Sequence, residues 1–304
     1  MWARPKETGV RHRSRADEAG REPGGLQLLS PDEVTEAELD TFRQYYSDTK
    51  GSQNKSYEFW LEFRPDVLKR HKARTVQWYL GGQDAVQALA CLHQYVIKGF
   101  ADGVEYETRL AQTHGARKTD IVDVMSIAFI HSAHVGMYPA AAVAAPILRE
   151  YQEHSVDTPV FPPNWSFDPH AFDSGMDYTT LEASKSDIRA IKEWYQKTLG
   201  EVPASVEFAA TYRPDLLKAY RNRYEHAIKG SLPKQMMPYL MLNYNVYRGF
   251  GNGIRENLLL ARALGFTRTQ VLNAIFSAVL QCGLNGLDTV QTVAADLIQE
   301  FPDE

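Results

Sequence analysis

A chain of 304 residues is long enough for two domains that each bury a core, so folding needs no metal or disulfide staple. Against 33 Lys and Arg stand 38 Asp and Glu, a net charge of -5, which excludes a global positive field for holding nucleic acid or an anionic membrane. The two cysteines, Cys91 and Cys282, lie far apart and outside any CxxC or Cys/His spacing; this points to a reducing compartment, disfavours a zinc ribbon and leaves a long-range disulfide open.

Residues 1–29 are rich in Arg, Glu and Gly, lack an apolar core and resemble neither a secretory signal nor a mitochondrial presequence, so they read as a disordered tail. Order is expected from Ser30-Pro31-Asp32-Glu33, where a Ser cap, Pro at the first helical position and acids in the first turn suit a starting helix. That helix should run to about residue 47, followed by helices over 56–63 and 65–80. Arg64-Pro65 separates these two, because a residue before proline avoids helical geometry, and Gly81-Gly82 ends the second. Over 83–100 the apolar residues Val86, Leu89, Leu92, Val96 and Phe100 recur at three and four, the spacing of one helix face. Helices are predicted at 104–114, 118–133 and 138–152. The longest uninterrupted apolar run, 140–148, falls short of the roughly 20 residues that span a bilayer, so a cytoplasmic protein without membrane contact is expected.

The same order then returns about 150 positions later. Ser56-Tyr-Glu-Phe59 is answered by Ser205-Val-Glu-Phe208, Arg64-Pro65-Asp66 by Arg213-Pro214-Asp215, and Lys98-Gly99-Phe100 by Arg248-Gly249-Phe250, with Gly136 answered by Gly286. Paired positions at nearly constant offset are the mark of a tandem repeat. The reading is an all-α chain of two helical repeats, 30–153 and 181–304. Between them, residues 154–180 carry four prolines with Phe161, Trp165, Phe167 and Phe172, and read as a packed strap in preference to a lid over a substrate site.

The segment Phe100-Ala-Asp-Gly103-Val-Glu-Tyr-Glu107-Thr-Arg-Leu-Ala111-Gln-Thr-His-Gly115-Ala-Arg-Lys-Thr119-Asp120-Ile121 resembles the carboxymuconolactone decarboxylase and alkylhydroperoxidase D superfamily, and Phe250, Gly253, Asn257, Ala261, Gly265 and Thr269 repeat its frame. The resemblance implies two alkylhydroperoxidase D-like helical units in tandem and assembly into a homo-oligomer, a trimer or a dimer. Where the peroxidase branch has Cys-x-x-Cys-x-x-x-His, this chain has Phe100, Gly103 and Glu107, with Phe250, Gly253 and Asn257 in the second copy. A thiol peroxidase needs a thiolate, a resolving thiol and a base, so the redox branch is disfavoured.

Ionisable side chains of the first copy are replaced in the second: His93 by Asn243, Tyr95 by Asn245, Glu107 by Asn257, His131 by Gln281 and His134 by Leu284. The first copy is therefore expected to be the active unit and the second a scaffold. His93 and His131 fall on apolar helix faces, where a lone histidine is more often a bonded core residue, but two beside a carboxylate fit acid/base work. The expected catalytic set is His93, Glu107 and His131, with Glu107 orienting or charging an imidazole and Tyr95, Tyr106 and His134 lining the pocket. His131-Ser-Ala-His134 has metal-compatible spacing without an acidic partner motif, so neither metal nor cofactor is expected. The leading reading is a lyase, decarboxylase or isomerase acting on a small carbonyl or carboxylate compound. A non-catalytic binding or scaffold protein of the same fold is the alternative, and residual thiol chemistry at Cys91 a weaker one.

Overall fold

The computed structural model describes residues 34–50, 55–78 and 84–303. The expected tail, the Ser30 cap and Gly81-Gly82 lie outside them. Every regular element among the described residues is a helix. In chain order these are α1 (Glu36–Lys50), α2 (Lys55–Phe63), α3 (Pro65–Trp78), α4 (Asp84–Lys98), α5 (Ala101–Thr113), α6 (Lys118–Glu150), α7 (Lys185–Leu199), α8 (Ala204–Tyr212), α9 (Pro214–Ile228), α10 (Met236–Arg248), α11 (Gly251–Ala263), α12 (Arg268–Cys282) and α13 (Asn285–Gln299). The start of α1 is set by Thr35, whose hydroxyl accepts from the Glu38 N–H at 3.3 Å while the Glu38 carboxylate accepts from the Thr35 N–H at 3.0 Å, satisfying two open donors of the first turn.

By its contacts the chain divides into residues 1–81 and 82–304, not at the 154–180 connection. The physical reason lies inside the later unit. One hydrophobic core runs through it from Val86 to Phe301, with α4 against α10 and α6 against α9, so α4–α6 and α10–α13 bury their apolar faces together.

In the first unit α2 packs on α3, Arg64 clasps Asp66 with two guanidinium nitrogens, and the buried Lys69 ammonium meets Glu38 at 2.8 Å. Residues of the second unit carry the same devices 149 positions later. Ser184 and Asp187 cap α7 reciprocally, Lys218 meets Asp187 at 2.9 Å, and Arg213 clasps Asp215. Lys218 also donates to Thr180 Oγ1 and the Glu182 carbonyl, which satisfies all three protons of a buried ammonium.

The helices predicted at 118–133 and 138–152 join into α6, with one break at Ala133, whose backbone sits at φ 46 and ψ -142. The corresponding point of the later helices is Gly283, at φ 63 and ψ -151, where α12 stops before α13. Glycine adopts this conformation freely, whereas an alanine there is strained. Three residues beyond each break a glycine is required for another reason: a Cβ on Gly136 would lie 2.2 Å from the Val96 carbonyl oxygen, and one on Gly286 2.2 Å from that of Val246. Close backbone crossings thus lock α6 onto α4 and α13 onto α10. Contrary to the expectation from uninterrupted apolar runs, α6 is long and apolar enough to cross a membrane by length and composition, a test that core helices also pass. The break at Ala133 and the packing of α6 against α4 and α5 account for its apolar stripe within the core.

Residues 154–180 carry little regular structure but bury two of their aromatics. Trp165 packs edge-on to Tyr239 and against Phe266, and Phe172 meets Trp194 and Tyr224. Beneath them the fully buried Arg221 donates to Glu225 at 2.6 Å and to the Phe172 carbonyl at 2.6 Å, with its guanidinium 4.0 Å from the Trp194 ring. Glu225 in turn accepts from the Ser174 N–H and the Tyr178 hydroxyl. Each buried charge is paired and bonded, as burial demands.

Candidate active site

His93 sits midway along α4, where the helix face turns to α10, and its side chain is fully buried. Neither ring nitrogen has a hydrogen-bond partner. Its neighbour in space is Tyr244, edge-on with ring centres 6.0 Å apart. The equivalent position of α10 shows what a satisfied polar group looks like here. Asn243 donates to Ser277 Oγ at 2.6 Å and to the Ala274 carbonyl at 3.1 Å, and accepts from Gln94. The sequence counterpart of Ser277 is Ile127, an apolar residue that can offer His93 nothing. Burial therefore holds the His93 imidazole neutral, its pKa lowered to about 3, with a smaller contribution from His131.

His131 lies just before the break in α6, with part of its surface in solvent. Crowding lowers its pKa to about 4, and the guanidinium groups of Arg223 and Arg248 add to the effect. Solvent tempers the crowding, but two adjacent cations push in the same direction. Arg223, on α9, donates to the Ile130 carbonyl at 2.8 Å, one residue before His131. Arg248, the last residue of α10, stands 5.8 Å from the centre of the Tyr244 ring, the ring that also faces His93. Helices α4, α6, α9 and α10 thus supply one group of side chains: His93, Tyr244, His131, Arg223 and Arg248.

A related arrangement joins α4, α10 and α12. Lys98, the counterpart of Arg248, donates to Gln281, the counterpart of His131, at 2.6 Å and lies 3.8 Å from the centre of the Tyr247 ring. That cluster has no imidazole. Cys91 and Cys282 form no disulfide, and each acts electrostatically on Lys98.

Of the residues expected from sequence, His93 and His131 interact electrostatically. Glu107 is buried on α5. Tyr95 packs edge-on to Phe100 and over Gly103, where an added Cβ would lie 2.6 Å from its ring. Tyr106 is half-buried on α5, and His134 is exposed, edge-on to Phe129 at 5.4 Å. Arg223, Arg248 and Tyr244 escaped the sequence reading. A signal was present in Arg248, since it answers Lys98, but its approach to His131 is purely tertiary.

A crystallised chain from Burkholderia xenovorans, provisionally assigned as a gamma-carboxymuconolactone decarboxylase subunit, superposes on this structure with a TM-score of 0.56, over 87% of this chain and 98% of its own. The chain has a carboxymuconolactone decarboxylase-like fold. The two sequences are 15% identical, so the likeness carries the architecture and no residue roles. No family model and no curated protein matches the sequence. Within the decarboxylase-like fold, the case for chemistry rests on the side chains around His93 and His131.

Proposed function

We propose that this chain is a carboxymuconolactone decarboxylase-like enzyme that moves protons without a cofactor on a small organic carbonyl or carboxylate compound, as a lyase, decarboxylase or isomerase. The matched helix bounds, caps and buried ion pairs support a tandem origin, with His93 and His131 unique to the first copy. One observation carries the reading: a fully buried imidazole with no hydrogen bond, beside a second imidazole, where the twin position holds a fully bonded asparagine. An orphaned buried polar group costs stability. A catalytic role is one reason for keeping one.

At pH 7 both imidazoles are neutral, so each is able to accept a proton, though with weak basicity. An anionic substrate beside them favours their protonated forms and lifts both pKa values toward the working range. His131, reached by solvent, is the proton-exchanging group, and His93 its buried partner. The test is incubation with a panel of small oxo-acids in D2O, following deuterium exchange beside the carbonyl by NMR together with CO2 release. Loss of turnover by roughly 100-fold or more in both His131→Gln and His93→Asn is expected. Turnover that persists in both variants would falsify the proposal. A binding protein of the same fold is the second reading, favoured by the solvent exposure of His131.

A further inference from the structure

Arginines of the later unit are, for the most part, committed to carboxylates: Arg117 to Asp120, Arg213 to Asp215, Arg221 to Glu225, Arg255 to Glu201 and Arg268 to Asp303. Arg149, Arg189, Arg223 and Arg248 are not so committed, and of these Arg223 and Arg248 are the two that act on His131. Among the described residues neither forms an ion pair; one donates to a carbonyl and the other faces a ring. Both are exposed, both converge on His131, and no carboxylate enters the surroundings that set His131. Two guanidiniums without an ion pair among the described residues, beside two neutral imidazoles, form a positive patch that an external anion can neutralise. Guanidinium groups present fixed forks of N–H donors that match planar oxyanions, and they keep their charge when partly desolvated.

We infer that Arg223 and Arg248 are the substrate-anion-binding residues of the His93–His131 site, taking an oxyanion of carboxylate type between α9 and α10. The inference rests on the acid/base reading for its reaction, but not for its binding chemistry. It changes the role of the second copy: α9 and α10 supply specificity to imidazoles carried on α4 and α6, so neither copy holds a complete site. The Tyr244 ring, between Arg248 and His93, gives the apolar part of a ligand a surface and ties the anion end to the buried imidazole.

Isothermal titration of the full chain with benzoate, inorganic phosphate and neutral benzamide separates charge from shape. Benzoate binding that benzamide does not reproduce, and that falls about tenfold in Arg223→Gln and in Arg248→Gln, is expected, with partial recovery in Arg223→Lys. Phosphate binding lost in the same two variants would support the same oxyanion site with a phosphate group as its source. The inference is overturned if wild type binds neither anion, if benzamide binds as well as benzoate, or if both glutamine variants keep full anion affinity. Should Arg223→Gln unfold because it also holds the end of the first α6 segment, Arg248→Gln decides the matter alone, since its guanidinium meets only a ring among the described residues. Failure of the acid/base reading looks different: deuterium exchange persists in the histidine variants, whatever the anion titrations give.

Discussion

Replacing His93 by leucine should make the protein more stable while ending its chemistry. In the folded state a neutral imidazole buries one donor and one acceptor, both without partners, and each such group costs about 1–3 kcal/mol. Leucine is of similar bulk and removes both, against a repacking cost of about 1.5 kcal/mol or less. A net gain of about 2 kcal/mol at pH 7 follows, a rise in Tm of roughly 4–8 °C for a unit of this size. Acid sharpens the difference. The folded pKa of about 3 lies below the ordinary value of 6.5, so the unfolded chain takes up a proton that the folded chain refuses. The penalty from His93 is smallest above pH 6.5 and grows as pH falls toward 3. Between pH 6.5 and 5 this amounts to about 2 kcal/mol, at about 1.4 kcal/mol per pH unit. Thermal melts of wild type and His93→Leu at pH 7 and pH 5 should therefore show a gap that opens in acid. A variant that melts lower at pH 7, with a gap unchanged at pH 5, would refute the account of His93 as an unsatisfied, desolvated imidazole.

Ala133→Gly should stabilise the fold, because strain of about 1–3 kcal/mol at a left-handed alanine is released against about 0.5–1 kcal/mol of extra chain entropy; a lower Tm for the glycine variant would contradict the break geometry. Gly286→Ala should cost about 1–3 kcal/mol, since its Cβ would press on the Val246 carbonyl oxygen, and an unshifted melt would show that α13 can back away from α10. Asp187 is pushed up by burial, but hydrogen bonds from the Asp177 N–H, Ser184 and Lys218 outweigh this and hold its carboxyl well below the usual range. Its contribution is present above the unfolded value near 4 and is lost as pH falls further, so wild type should lose stability in that window more steeply than Asp187→Asn, and equal acid profiles would argue against a tight Asp187–Lys218 pair.

Much of the helical order was legible because proline, glycine and apolar spacing act locally. Pro65 and Pro214 begin α3 and α9 where the sequence places them, and the Ala133 break falls at the predicted end of the 118–133 helix. The cap at Thr35 was not foreseen; it rests on the reciprocal bonds of Thr35 and Glu38. His93 and His131 were legible as imidazoles on apolar faces. What Glu107 meets on α5 is set by tertiary packing, which its place in a family frame does not specify. The division at 81/82 was hidden for a similar reason: apolar faces announce that they will be buried, but not that α4 and α10 will bury theirs against each other.

The bonds of Arg221 and Glu225 to residues 172–178 end largely on main-chain atoms, the Phe172 carbonyl and the Ser174 amide. An anchor of this kind recognises spacing more than side-chain identity. Outward-facing positions of the connection, Phe167 among them, are free to vary, whereas a single inserted or deleted residue between Phe172 and Tyr178 would leave two opposite charges shut inside the protein with their partners out of step.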